Sequence, residues 1–365
     1  METAKADIMR GRSTVPTRIV FGKGACFMSE KSTSGKKQPA QRPPLQRVVR
    51  VLYIVLVVMS LIVVVSYAAL KLFAPPPDVP GQVEFPLSSD GLPDQSADAV
   101  NSGRPDSLTL NRKKGVYTCL LLGVADQGGS DTIMLGVFDT EGKTASLISI
   151  PRDTVVRYNG QRIKINASYS YGGVEAIRQC VRELLAVPID YYVAVDTRAF
   201  REIVNEIDGV WFDVPPGMDY DDPTQNLHIH LAPGYQKLYG DDALKLVRCR
   251  SAYASQDIGR AATQRAFLAA MVKQTITLSN VTKVTSLINI LNTYVESDMS
   301  LSNMVYFATQ AVGMDLDDAL TSAVLSTNWV NPYIVPEEGE VLAMVNSLGI
   351  YEEEVPASVL RLVRP

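Results

Sequence analysis

Four side chains in the second half of the sequence have the types and spacing to hold a polyanion. In VRCRSAYASQDIGRAATQ, Arg248 and Arg250 are two residues apart, which in an extended segment puts both guanidinium groups on one face and Cys249 on the other. Arg260 and Gln264 are four apart and share a face of the helix expected to start near there. Arginine meets phosphate oxygens with paired N–H donors and keeps its charge, so donors converging from two adjoining elements suit a phosphate-rich group. Arg152, directly after Pro151 in SIPRDTVV, and Lys164 in KINASYSYGG are further cationic candidates. For any one pair, the plainer reading is solvated surface arginine.

Carboxylates stand opposite these cations in the chain. In LLLGVADQGGSDTIML, Asp126 and Asp131 bracket a Gly128-Gly129 turn between two expected strands. Mg²⁺ takes oxygen ligands, commonly one or two carboxylates plus substrate phosphates, so a paired-aspartate loop facing a phosphate site makes chemical sense. An Asp that only satisfies backbone donors of a glycine-rich turn is the alternative.

His228 and His230 in LHIHL share one strand face, but no third metal ligand has suitable spacing, and structural or substrate-contacting roles are expected. DYDD at 219–222 lacks the spacing of a calcium loop and reads as a polar turn. Neither GxSxG, a Walker A sequence nor HExxH occurs, so serine hydrolase, P-loop and zincin chemistry lose their usual support.

The elements that must position these residues are legible from periodicity. Residues 116–124, 132–139 and 144–150 are rich in β-branched and large apolar residues and predict neighbouring strands of a central sheet, with a Thr-Glu-Gly turn at 140–142. Residues 172–186 and 198–207 predict helices on either side of a strand at 191–195, an alternation typical of an α/β layered fold. Further strands are expected at 209–214 and 227–231, and helices at 262–278, 284–295 and 301–312. Phe267, Leu268, Met271 and Val272 could wall an apolar slot or be ordinary core.

The 365 residues, 46% apolar and 20% charged, suffice for one sizeable domain with accessory segments. Residues 1–50 hold eleven Lys/Arg against three acids, a surplus of eight, so the remainder of this chain of net charge −4 carries −12. An acidic body disfavours nucleic-acid binding. Residues 51–70 form a 20-residue run without charge, which at ~1.5 Å per residue spans a ~30 Å hydrocarbon core. Arg42, Arg47 and Arg50 precede it and only Lys71 follows closely, predicting a cytoplasmic N-terminus and an extracellular body. The run is too long and too far from residue 1 for a cleaved signal peptide.

The expected organisation is therefore a disordered basic cytoplasmic tail at 1–47, a single transmembrane helix at 48–73 and a Pro-rich linker at 74–111. A catalytic domain at 112–330 and a C-terminal extension at 331–365 complete it. Of four cysteines, Cys119, Cys180 and Cys249 fall outside the membrane, an odd number without metal-ligand spacing, and any pairing among them stays open.

Taken in order, LLLGVADQGGSDTIML, SLISIPRDTVV, KINASYSYGG, IDYYVAVD, Gly209-Val210, GDDALKLVRCR and DIGRAATQ resemble the motifs of the LytR-CpsA-Psr family across roughly residues 116–275. The resemblance implies a single-pass membrane protein with an α/β/α extracellular domain around a central mixed sheet. It also implies Mg²⁺-dependent transfer of teichoic acid, capsular polysaccharide or a related glycopolymer from a polyprenyl-pyrophosphate carrier to peptidoglycan. By motif, Asp126 and Asp131 match the metal-binding carboxylates, and Arg152 the arginine of the PRD motif. Arg248, Arg250, Arg260 and Gln264 match the pyrophosphate-contacting set, with Lys164 the lysine of the KIN motif. Many members carry Asp-x-Arg in the first loop, whereas Gln127 and Gly128 follow Asp126 here.

On that basis Arg152, Asp131, Arg248 and Arg260 are the expected catalytic residues, with Asp131 or Asp153 as alternative proton acceptors. Two rival readings share the chemistry: a non-catalytic polyprenyl-phosphate-binding or signalling membrane protein, and a polyprenyl-pyrophosphate hydrolase.

Overall fold

The computed structural model describes residues 53, 55–61, 74–86, 107–125, 129–223, 227–253, 257–275, 290, 293–311 and 314–363. The chain divides into two units, Met1–Ser60 and Leu61–Pro365. Tyr53 and residues 55–61 are helical; the rest of the apolar run at 51–70, like the basic tail, lies outside the described residues. Among the described residues no helix is long and apolar enough to cross a membrane.

The larger unit starts with two short strands, β1 (Gln82–Pro86) and β2 (Ser107–Asn111), paired antiparallel. This corrects the solvated linker expected at 74–111, of which residues 87–106 are not described. Val83 and Phe85 alternate with exposed neighbours, and with Leu110 they enter the main core. Two apolar residues in a five-residue strand carry too weak a period to stand out beside PPP.

Then come β3 (Val116–Ala125), β4 (Gly129–Asp139) and β5 (Thr144–Ser149), an antiparallel meander. Asp139 closes the turn between β4 and β5 by accepting the backbone N–H groups of Glu141 and Gly142 at 2.9 and 2.7 Å. A hairpin of β6 (Val155–Tyr158) and β7 (Gln161–Lys164) leads into α1 (Ile165–Leu185). The helix expected at 172–186 is only the second part of α1. Gly172 and Gly173 break it, and the turns before them, INASYSY, lack the apolar period that marks the rest. At φ 64°, ψ −148°, Gly173 occupies a region open essentially to glycine.

Strand β8 (Tyr191–Val195), α2 (Thr197–Glu206), β9 (Val210–Val214), β10 (Asp219–Asp222), β11 (Leu227–His230) and β12 (Gly234–Leu238) follow. DYDD is thus a strand, not a turn; it pairs antiparallel with LHIH of β11. Helices α3 (Gly240–Arg248) and α4 (Asp257–Thr275) come next, then β13 (Val295–Ser297), α5 (Leu301–Ala311), α6 (Leu316–Ala319) and β14 (Leu320–Val324). Of the helix expected at 284–295, residues 290, 293 and 294 are helical, and Val295 opens β13 instead.

The central sheet has six strands in the order β13-β8-β3-β4-β5-β14, with β3–β8 and β5–β14 parallel and the other pairs antiparallel. It is a mixed sheet within a mixed α/β fold. Both faces are covered, so β3 reads as a nearly continuous apolar run rather than an alternation. Leu120 and Leu122 join the core that α1 fills with Ile177, Val181 and Leu184. A second core, holding Val204, Leu238, Leu246 and Phe267, ties α2, α3 and α4 to β9, β11 and β12.

The expected C-terminal extension is part of the domain. Strands β15 (Thr327–Val330) and β16 (Tyr333–Pro336) pair, and α7 (Glu338–Ser347) sends Val341 and Val345 into the main core. Beyond α7, the Tyr351 hydroxyl donates to Ala186 O at 2.9 Å. Between β2 and β3, Arg112 forms a bidentate pair with Asp190 at 2.6 and 2.7 Å, both almost fully buried, and Arg112 also donates to Val116 O at 2.8 Å. Asp190 receives the Thr118 backbone N–H at 2.8 Å, locking β3 to the loop before β8.

Candidate active site

Asp131 sits where β3 and β4 fall out of step. Gly123 faces Thr132 and Val124 faces Ser130, so Asp131 is the extra residue of a β-bulge. Bulges re-aim a side chain, and here the carboxylate reaches a cavity. Gly123 is required by the close approach of Thr132, whose Cβ would lie 2.9 Å from a Cβ placed on it. The Ser130 hydroxyl donates to Thr132 O at 2.9 Å, bracing the bulge from the other side.

The turn after β5 brings up Arg152, which donates to Asp131 Oδ1 at 2.7 Å. Backbone bonds hold this turn against the start of α1: Thr154 N to Pro151 O at 3.0 Å and Asn166 N to Arg152 O at 3.1 Å. Asp153, next in the chain, receives Lys164 Nζ at 2.9 Å and lies 3.9 Å from Arg152 Nε. Asp131, Arg152, Asp153 and Lys164 thus form a row of alternating charge, with Lys164 at its outer end.

The arginines of the second cluster come from α3, the segment after it and α4. Arg248 is the last residue of α3, which corrects the extended segment expected around it. The helix forms because Ala243 and Leu246 bury one face, Asp241 and Asp242 lie in the first turn and Lys245 and Arg248 in the last, as the helix dipole favours. The chain leaves the helix at Cys249 with φ −66°, ψ 127°, so Cys249 is buried while Arg248 is exposed and Arg250 partly so, the division expected from the sequence.

Tyr253 then anchors the segment to α4. Its hydroxyl lies 2.5 Å from Thr263 Oγ1, and its side chain covers Gly259, where an added Cβ would clash with Tyr253 Cβ and Cγ. Arg260 on the following position of α4 is buried, 5% exposed. Gln264 is a brace between layers: its Nε2 donates to Val247 O at 2.9 Å and its Oε1 accepts from Thr132 at 3.2 Å.

Together Asp131, Arg248, Arg250, Arg260 and Gln264 line one cavity of about 770 Å³. Leu121, Met134 and Val193 supply its sheet side, and Phe200 and Ile203 of α2 part of the opposite wall. Phe267, Leu268, Met271 and Val272 of α4, which could have been plain core, also line it. Phe267 does both, since it also belongs to the second core. The α2 and α3 contributions, together with Tyr220 and Leu227, carry no chemical signature in the sequence; their only signal is apolarity.

Electrostatics agree with the geometry. Partial burial would raise the Asp131 carboxyl, but the hydrogen bond from Arg152 and the charges of Arg152, Arg260 and Arg250 outweigh it and hold the group below the usual carboxylate range. Asp131 is therefore ionised, half exposed and surrounded by cations. A hard cation with phosphate oxygens in its coordination shell fits such an oxygen donor. Asp126, the second expected ligand, lies outside the described residues. Burial pushes the Cys119 thiol up to about 12 and that of Cys180 up to about 11, so neither supplies a thiolate nucleophile. Cys119, Cys180 and Cys249 are free.

The model of the LytR_cpsA_psr family matches residues 88–348. Over 225 residues the chain is 32% identical to the polyisoprenyl-teichoic acid–peptidoglycan teichoic acid transferase TagV of Bacillus subtilis (strain 168), covering 57% of each protein. Over 207 residues it is 28% identical to the similarly named transferase TagU of the same strain, covering 55% of this chain and 65% of TagU. The chain therefore spans less than two thirds of the length of either curated relative. Its fold is similar to the crystal structure of B. subtilis TagV, with a TM-score of 0.57 and 27% identity over 65% of this chain and 96% of that one. It is also similar to TagT bound to LIIa-WTA, with a TM-score of 0.54 and 26% identity over 64% and 90% of the two chains.

Proposed function

The chain belongs to the LytR_cpsA_psr family, and from that premise we propose that it is a phosphotransferase moving an anionic glycopolymer from a polyprenyl-pyrophosphate carrier to peptidoglycan. One observation carries the reading: an apolar cavity of about 770 Å³ has Arg248, Arg250, Arg260 and Asp131 among its lining residues. Such a site suits an amphiphile with a hydrocarbon tail and a multiply charged head. The names of TagV and TagU, both teichoic acid transferases to peptidoglycan, support the same substrate class.

In this reading the tail lies along Leu121, Phe200, Leu268 and Met271, and the diphosphate meets the arginines. Arg260, buried and preset by α4, and Arg250, whose backbone carbonyl accepts from Tyr253 N at 3.2 Å, neutralise charge that builds on the transferring phosphoryl group. Donors fixed in place beforehand need no reorganisation during the reaction, which is where their contribution to rate originates. Asp131, with Asp126, would hold Mg²⁺, which supplies charge neutralisation at the phosphate oxygens. A carboxyl held below its usual range is a good ligand and a poor proton acceptor, which favours the metal-binding role for Asp131 over that of general base. Gln264 acts as a brace rather than a substrate donor. Arg152 positions Asp131. The uncharged run at 51–70 would anchor the chain in the cell membrane with its N-terminus cytoplasmic and the domain extracellular.

The direct test is polymer transfer from a lipid-pyrophosphate donor to peptidoglycan by wild type, Arg248→Ala and Arg260→Ala. Transfer by wild type with loss in both variants supports the proposal; unchanged rates in both reject the site. Release of free polymer at the same rate with and without acceptor would mark a hydrolase instead.

A further inference from the structure

The hairpin of β10 and β11 carries a second, separate cluster of metal-ligand side chains. Its register sets Asp219 opposite His230 and Asp221 opposite His228. Because side chains alternate across a strand, these four share one face, and Tyr220 and Ile229 take the other. Ile229 is fully buried in the second core and Tyr220 lines the cavity. The four polar residues are exposed, the side chains of His228 and His230 by 55% and 59%.

We propose that this outer face is a binding site for a divalent transition-metal ion of the zinc type, with His228, His230 and Asp221 as ligands and Asp219 as the residue that orients His230. One ligand atom from each of the three ligands lies within 4.8 Å of the others. His230 Nδ1 is 2.6 Å from Asp219 Oδ1, and its Nε2 is 3.4 Å from Asp221 Oδ1. A carboxylate on one ring nitrogen fixes the tautomer that leaves the other nitrogen's lone pair for a metal, the usual carboxylate–histidine–metal arrangement. In a tetrahedral zinc site with bonds of ~2.0–2.1 Å, neighbouring ligand atoms are about 3.3 Å apart, which the His230–Asp221 pair already matches. His228 Nδ1, now 2.5 Å from Asp221 Oδ1, needs a small ring rotation to open that contact for the ion.

Two imidazoles and one carboxylate select zinc, copper or nickel over magnesium and calcium, which prefer oxygen alone. This separates the site chemically from the Asp131 region. Three protein ligands leave a fourth position for water, and the exposed setting makes the site exchangeable. Bound metal would staple β10 to β11 from outside while Tyr220 on the inner face contributes to the cavity wall, so occupancy stabilises one side of that wall.

The test is calorimetric titration of ZnCl₂ into the tag-free full chain in detergent. One saturable zinc ion is expected per chain, not displaced by excess MgCl₂. His228→Gln/His230→Gln should weaken binding by more than about tenfold, and Asp219→Asn, which removes only the orienting carboxylate, by about tenfold. Absence of saturable binding, or unchanged affinity in the double variant, overturns the proposal; the latter would place the ion elsewhere, for instance on the thiols. X-ray absorption of the zinc-loaded wild type gives an answer that does not depend on variant folding: imidazole and oxygen scattering supports the site, and a sulfur shell overturns it.

Discussion

Arg152 Nη1 donates to Asp131 Oδ1 at 2.7 Å, joining the turn after β5 to the bulge in β4. Burial pulls the Asp131 carboxyl upward, and this bond and the neighbouring arginine charges hold it down. Replacing Arg152 by Gln should therefore raise the Asp131 pKa, and the acid limb of the kcat/KM profile should move to higher pH. The sign for stability follows from linkage. A carboxyl whose folded pKa lies below its unfolded value stabilises the fold above the unfolded pKa, near ~3.9, and loses that contribution as pH falls through the folded value. The variant should thus lose less stability than wild type on acidification, measured by urea unfolding across that window.

Gly123 and Thr132 make a second prediction. A methyl group at residue 123 would lie 2.9 Å from Thr132 Cβ, so Gly123→Ala must shift the bulge that presents Asp131. Overpacking of this kind costs about 1–3 kcal/mol. Circular dichroism should show a folded protein with a lowered Tm, and transfer should fall further than the stability loss accounts for.

The cavity can be filled without touching a charge. Met271→Trp puts a bulky indole in place of a linear thioether in the wall on α4. Lipid-donor binding should weaken by tenfold or more, on the order of the ~1–3 kcal/mol that displacing one or two methylenes from an apolar pocket is worth. Folding stability should hold, and competition binding with the lipid donor measures the change.

Neither Arg112 nor Asp190 lines the cavity, and this pair tests the fold alone. Arg112→Ala leaves Asp190 buried without its cation, a change that costs about 3–5 kcal/mol. Urea denaturation should show that loss.

The elements with long, strongly apolar patterns were legible in the sequence. Strands β3, β4 and β5, helix α2 and helix α5 lie where their periodicity puts them, because burial on both sheet faces or one helix face leaves a dense signal. The grouping of the candidate residues was legible in part: Asp131, Arg248, Arg250, Arg260 and Gln264 line one cavity, whereas Arg152 and Lys164 are not among its lining residues. Its construction was not. The bulge at Asp131 exists only in the pairing of β3 with β4, and Arg248 closes a nine-residue helix that buries only Gly240, Ala243 and Leu246. The third ligand beside His228 and His230 escaped for the same reason, since Asp221 becomes their neighbour through cross-strand register. Short amphipathic pieces such as β1, and α7 within a stretch that reads as an appendage, become recognisable only against the core they complete.

In the proposed function, one cavity grips a hydrocarbon tail while its arginines grip a diphosphate. The most direct measurement compares equilibrium binding of a polyprenyl pyrophosphate with that of the matching neutral polyprenol, in wild type and in Arg250→Ala/Arg260→Ala. Wild type should prefer the charged lipid by about 10- to 100-fold, the equivalent of the ~1.5–3 kcal/mol of one hydrogen bond to a charged group, and the double variant should lose that preference while still binding the polyprenol. Equal affinity of wild type for the two lipids, or a preference that survives removal of both arginines, would contradict the account.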